Sequence, residues 1–259
     1  MQLIISPSSG STTPTVTNKT TTYAIQTSDF GNTLTFTGTG GAFTTTLPTA
    51  IGLDGKFIYL VRTDQTLANQ VTVATTSSQT IGPHGTSVTL ATQGEGWFLQ
   101  SDGANWLVLD HTIPSFLTSV TPTYAGLGTV TAEGTWWWRG PDGLFYMRGV
   151  NVTGTVTGST VSVSIPSGLT IDSSFLGSAT DTNIMGEFFI MAGTTNPIFP
   201  TTSAGPYPFF PDTSVANNLL YFSRQTAAGR LGKEVGSLIG NTTRFSFNIK
   251  GLPITGWKG

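Results

Sequence analysis

Threonine alternating with large apolar residues, in short runs broken by turn pairs, is the feature that most limits what this chain can fold into. Leu34 and Phe36 alternate with Thr33, Thr35 and Thr37; Phe43, Thr45 and Leu47 share one parity; Val71 and Val73 flank Thr72; Val88 and Leu90 flank Thr89. A period of two belongs to a strand whose successive side chains point to opposite faces, one buried and one wet. Gly31-Asn32, Gly40-Gly41, Asp54-Gly55 and Pro83-His84-Gly85 supply turns between the runs. Trp97-Phe98-Leu99-Gln100 and Trp106-Leu107-Val108-Leu109, joined by Ser101-Asp102-Gly103, read as a hairpin.

The second half starts its own strand series. Trp136-Trp137-Trp138-Arg139 and Leu144-Phe145-Tyr146-Met147-Arg148 flank Gly140-Pro141-Asp142-Gly143, a second hairpin. Val161, Val163 and Ile165 alternate with Ser162 and Ser164, and Phe245, Phe247 and Ile249 alternate with polar residues near the C-terminus. Residues 212–224 give the best helical candidate, with Val215, Leu219 and Phe222 at helical spacing and Asp212 as a cap.

Charge does little to keep such a chain in solution, because only 9% of its residues are charged. Threonine, roughly one residue in five, takes over that task, since its branched carbon suits a pleated strand and its hydroxyl meets water. A net charge of -2, with no run of either sign, argues against nucleic-acid binding and against a polybasic membrane contact. There is no Cys, which excludes disulfides and thiolate metal sites. The opening Met1-Gln-Leu-Ile-Ile-Ser-Pro has no basic start and too short an aliphatic run for a secretory signal or membrane anchor, so a chain made in a cytoplasm is expected.

These patterns predict an all-β protein of two β-sandwich or jelly-roll-like domains with a short extended N-terminal arm. Residues 1–22, crowded with Ser, Thr, Gly and Pro, form the arm, either a folded-back first strand or a peptide docked on another subunit. Residues 23–112 form the first domain, residues 113–122 a junction carrying two prolines, and residues 123–259 the second domain.

The first half carries Gly40-Gly-Ala-Phe-Thr-Thr-Thr-Leu-Pro48, Gly55-Lys-Phe-Ile-Tyr-Leu60, Gln70-Val-Thr-Val73, Gln79-Thr-Ile81, Thr92-Gln-Gly-Glu-Gly-Trp97 and Gln100-Ser-Asp-Gly-Ala-Asn-Trp106. In order and spacing these pieces resemble a module recurrent in tailed-bacteriophage fibre, tailspike and appendage proteins. More loosely, Tyr124-Ala-Gly-Leu-Gly-Thr-Val130, the aromatic hairpin, Ser164-Ile-Pro166 and the ending Gly251-Leu-Pro-Ile-Thr-Gly-Trp257 resemble the C-terminal parts of phage fibres. The resemblance implies a virion surface protein made in the bacterial host, commonly a homotrimer, with one part joined to phage tail or capsid proteins and another facing outward. It implies attachment to a host surface glycan or receptor; a capsid decoration, cement or head-fibre protein is the alternative. It brings no catalytic residues and no cofactor.

Chemistry sought in the sequence does not converge. Two histidines, His84 and His111, cannot make a three-histidine metal site within one chain, and both read as structural. Carboxylates such as Asp181 and Glu187 could in principle pair, but no repeat of the length of a solenoid spike is visible, so the chain is expected not to be an enzyme. Asn18, Asn151 and Asn241 head Asn-x-Thr triplets that arise easily in so Thr-rich a chain. The aromatic clusters are the candidate binding residues. Three consecutive Trp cannot share a strand face, and with Trp136 and Trp138 read as core, Trp137 is the one expected outside. Residues 205–212 are stiffened by three prolines and are expected to present Tyr207, Phe209 and Phe210, as a sugar-stacking tip or as a plug between subunits.

Overall fold

A computed structural model describes residues 13–158, 160–176, 184–191, 207–211, 216–225, 231–232 and 244–257. Every regular element among them is a strand or a single 3-10 turn, so the protein is all-β. The chain divides into two compact units, residues 1–112 and 113–259. Among the described residues no helix is long and apolar enough to cross a membrane.

The described residues of the first unit hold nine strands: β1 (Val16–Lys19), β2 (Tyr23–Ala24), β3 (Thr33–Phe36), β4 (Phe43–Thr46), β5 (Phe57–Arg62), β6 (Val71–Ala74), β7 (Ser87–Leu90), β8 (Gly96–Ser101) and β9 (Trp106–Thr112). They form a sheet in the order β1-β3-β5-β8-β9 and another in the order β2-β4-β6-β7. Through the first six strands the chain passes from one sheet to the other at every step, and within each sheet these strands pair in parallel. Only the last pairings, β6 with β7, β5 with β8 and β8 with β9, are antiparallel. The unit is therefore a sandwich wound like a short two-sheet coil, whereas the hairpins of a jelly roll would make antiparallel pairs.

The alternation read from the sequence sets the faces. Leu34, Phe36, Ile58, Leu60, Val71, Val73, Val88, Leu90, Trp97 and Leu99 turn inward into one core shared by both sheets, while Thr33 and Thr35 stay half-buried outside. Residues 1–12 lie outside the described residues. Val16–Lys19, expected in an extended arm, is an edge strand of the first sheet, paired residue for residue with Thr33–Phe36. Asn18 ties it there, its side-chain oxygen accepting from the hydroxyls of Thr35 at 3.2 Å and Thr37 at 3.1 Å.

The second unit contains β10 (Thr118–Ser119), β11 (Tyr124–Ala125), β12 (Thr131–Arg139), β13 (Phe145–Val152), β14 (Ser162–Ser164), β15 (Gly186–Met191), β16 (Tyr207–Pro211), β17 (Leu219–Phe222), β18 (Arg224–Gln225), β19 (Leu231–Gly232) and β20 (Arg244–Leu252). Nine of these make one antiparallel sheet in the order β10-β12-β13-β20-β15-β16-β17-β14-β11, and β18 pairs with β19. The sheet doubles over on itself. Tyr124 of β11, at one edge, packs edge-on against Phe245 of β20 at 5.8 Å, and its hydroxyl sits beside Thr135 and Asn151 of strands near the other edge. Burial there pushes the Tyr124 phenol well above its ordinary pKa. Phe222 packs on Phe188 at 4.7 Å and on Phe245 at 5.8 Å, joining the two halves through an aromatic core.

One local expectation is overturned in this unit. Leu219–Phe222, read as part of a helix, is a strand between β16 and β14, and Leu220, Tyr221 and Phe222 are all buried. A strand covered on both faces shows a continuous apolar run, which local spacing cannot tell from a helix. Within the stretch read as a junction, residues 113–122, Thr118–Ser119 pairs with Trp137 and Trp136.

Candidate binding surface

The second hairpin decides which aromatics meet solvent. In its turn the Gly143 N–H donates to the Gly140 carbonyl at 3.0 Å and the Gly140 N–H to the Leu144 carbonyl at 2.8 Å, while Asp142 Oδ1 accepts from the Leu144 N–H at 3.1 Å. Gly143, at φ 76°, takes the left-handed position that a side chain would resist. The turn sets Arg139 opposite Phe145, Trp138 opposite Tyr146, Trp137 opposite Met147 and Trp136 opposite Arg148.

Parity then runs opposite to the expectation. Trp137 is buried, stacked on Phe145 at 5.8 Å and beside Trp257 at 6.3 Å, and Arg139 is buried with its guanidinium 4.9 Å from the Trp257 ring. Trp136 is 36% exposed and Trp138 half-buried, both on the outer face. The partner that draws Trp137 inward is Trp257, far along the chain, so the local triplet carries no sign of which parity wins.

The outer face that results is a ladder of flat groups. Trp136 lies down over Gly134, where a Cβ would come within 2.1 Å of the indole. The Arg148 guanidinium sits between the two tryptophans, 5.9 Å from each ring. Beyond it Trp138 stacks on Tyr146 at 5.4 Å with the planes 15° apart, and the Tyr146 hydroxyl donates to Asp142 Oδ2 at 2.5 Å. That bond, helped by partial burial, holds the Tyr146 phenol above its ordinary pKa. The same face continues from Arg148 through Asn248 to Glu187, with Lys250 exposed on β20. Among the described residues no carboxylate lies within 4.0 Å of Arg148. The arrangement offers rigid rings that lose little freedom when covered and a cation with donors to spare.

The described part of the proline-rich segment is a strand. Tyr207–Pro211 is β16, held between β15 and β17 in the interior of the sheet. Phe210 is buried, with its ring 6.1 Å from Tyr221, its partner on β17. The side chains of Tyr207 and Phe209 lie outside the described residues, as does Pro206. Proline is accommodated because the Pro208 carbonyl carries the contact, accepting from the Ser223 N–H at 3.0 Å and hydroxyl at 2.8 Å.

In the first unit, sequence reading missed a buried charged cluster. Arg62 and Glu95 are both fully buried. Arg62 donates to the carbonyls of Ala91 and Thr66, and Glu95 Oε2 accepts from the N–H groups of Ala91 at 2.6 Å and Thr92 at 3.0 Å. Glu95 Oε1 meets His111 Nε2 at 3.0 Å, and His111 stacks on Trp97 at 3.6 Å. Desolvation lowers the Arg62 pKa, opposed by Asp64 and Glu95. The carboxylate is spent on turn N–H groups, so the cluster pins the turn between β7 and β8. A signal available in the sequence was an acid flanked by two glycines, Gly94-Glu95-Gly96.

Asp181, read as one member of a possible acid pair, lies outside the described residues, and Glu187 lies on β15 in the row described above. Among the described residues no group of three or more His, Asp or Glu side chains could hold a metal ion. No family model matches the chain, and no curated protein matches it.

Proposed function

We propose that this chain is a non-enzymatic bacteriophage virion surface protein that attaches the particle to a host-surface glycan through the outer face of the second unit. The observation that carries the reading is the row Trp136, Arg148, Trp138 and Tyr146, set on a paired hairpin and open to solvent. A pyranose ring presents C–H groups on one face that stack on indole or phenol, and its hydroxyls suit the donors and acceptors alongside. Rings with few rotatable bonds lose little entropy on binding, so much of the contact energy survives as affinity.

The resemblance of residues 23–110 to a phage appendage module supports placement on a virion. The first unit supports a joining role through the outer face of its five-stranded sheet, where Phe57 and Leu107 are exposed and Phe98 packs edge-on against Phe57 at 5.6 Å and Tyr59 at 6.2 Å. An apolar sheet face of this kind suits burial against virion neighbours or in a homotrimer. That same face favours the second reading, a decoration protein that stabilises a capsid.

The test uses the labelled full chain on a panel of bacterial cells, beside the Trp136→Ala/Trp138→Ala variant. Attachment predicts saturable binding by the parent, at least tenfold weaker binding by the variant, and nearly unchanged thermal unfolding. Absence of cell binding by the parent, together with capsids that weaken when the protein is removed, would select the decoration reading.

A further inference from the structure

Resting on that attachment reading, we infer that the glycan held on the outer face is acidic, and that Arg148 reads its carboxylate or phosphate group. Arg148 is exposed and flanked by two indoles, with no carboxylate within ion-pair distance among the described residues. Asp142, which touches the ladder, is engaged by the Tyr146 hydroxyl and the Leu144 N–H. Glu187 stands two strands away across Asn248. A second cation, Lys250, is exposed on the adjoining strand, and the alternation of β20 puts it on the same face as Asn248, opposite buried Phe247 and Ile249.

The balance of that face is therefore rings plus positive charge. A neutral sugar covering Arg148 would strip water from a guanidinium and give it no counter-charge, which is costly. A carboxylate or phosphate on the sugar removes that cost, because the planar fork of guanidinium donors matches two oxygens of such a group. The stacked rings hold the sugar body while the cation selects its anionic substituent. Affinity and selectivity so reside in different residues of one ladder.

The experiment uses the full chain and a panel of oligosaccharides containing uronic acid, sialic acid or sugar phosphate, each beside its carboxyl-reduced or dephosphorylated counterpart, together with the cell panel. The parent should bind at least one acidic member tenfold or more tightly than its neutral counterpart, with affinity falling as salt rises. Arg148→Gln should erase that preference, bringing each acidic member to the affinity of its neutral counterpart, with thermal unfolding unchanged. Trp138→Ala should weaken acidic and neutral members alike. Equal binding of the members of each pair, or an unchanged preference in Arg148→Gln, overturns the inference. If the parent binds cells but no glycan of the panel, or Arg148→Gln binds cells as the parent does, the acidic-glycan inference falls while attachment stands. If the parent binds no cells, it is the attachment reading that fails.

Discussion

Arg62 of the first unit and Arg148 of the second are the same residue in opposite circumstances. Arg62 is fully buried and surrounded by acceptors that belong to the protein, namely two backbone carbonyls with Asp64 at 4.0 Å. Arg148 is exposed, lies between two ring faces, and has no carboxylate within 4.0 Å among the described residues. In a chain with only 11 Lys and Arg, each one stands out, and its surroundings separate structural work from recognition. A buried cation completes a fold, and an exposed one between tryptophans awaits a partner.

The comparison can be broken most directly by removing each charge. Arg62→Met should destabilise the first unit by about 3 to 5 kcal/mol, because the Ala91 and Thr66 carbonyls lose their buried donor and Asp64 and Glu95 lose a nearby positive charge. Arg148→Met should change stability by less than about 0.5 kcal/mol, as surface substitutions away from special features do. Denaturant unfolding of the full chain checks both, and similar losses for the two variants would erase the distinction. A somewhat smaller effect separates the core of the second unit from its outer face. Phe210→Ala should cost about 3 kcal/mol, the lower end for truncating a buried phenylalanine. If that variant instead lost cell binding with unfolding unchanged, β16 would be the contact.

The smallest effects come from pH, and they fall on the two units at opposite ends of the scale. Burial alone would raise the Asp64 pKa, yet the Thr66 N–H, the Asn69 side chain and Arg62 outweigh it and hold it below the usual range. The Asp102 carboxylate is lowered by the N–H groups of Asn105 at 2.6 Å and Ala104 at 2.8 Å. Their contribution to the first unit is present above the unfolded carboxylate pKa of about 4 and is lost as pH falls through the lower folded values. Tyr146 behaves in reverse. Its raised pKa means a contribution present below the unfolded phenol value of about 10 and lost as pH rises through the folded one. Melting curves from pH 2 to pH 5 should show an acid-side loss that is smaller in Asp102→Asn. Tyrosinate absorbance should lose a late-titrating group in Tyr146→Phe.

Much of the fold was legible because burial and alternation coincide. Leu34 and Phe36 are buried between half-buried threonines, and both hairpins bounded by Trp pair as their turn residues predict. The winding of the first unit was not legible. Val16 pairs with Thr33 and Thr33 with Tyr59, separations of 17 and then 26 residues, so successive coils leave no constant period to detect. The platform was half legible. Three adjacent tryptophans announce an exposed aromatic, but one residue of register decides which, and that register is fixed by Trp257 and by the Gly134 backbone under Trp136. Proline counted against a strand at Tyr207–Pro211 because a missing N–H weighs against pairing, whereas at Pro208 the carbonyl carries the contact. Arg62 and Glu95 come to one buried cluster from distant points of the sequence, and isolated charges do not say whether they are inside.

The central claim, that the outer hairpin face makes the contact, is tested most directly by the six indole N–H signals of the nitrogen-15-labelled chain during titration with the surface polysaccharide of a bound strain. Trp136 and Trp138, assigned by substitution, should shift and broaden, while Trp97, Trp106, Trp137 and Trp257 stay in place. Shifts confined to the buried four, or no shift at saturating polysaccharide on a strain whose cells bind the protein, would contradict the account.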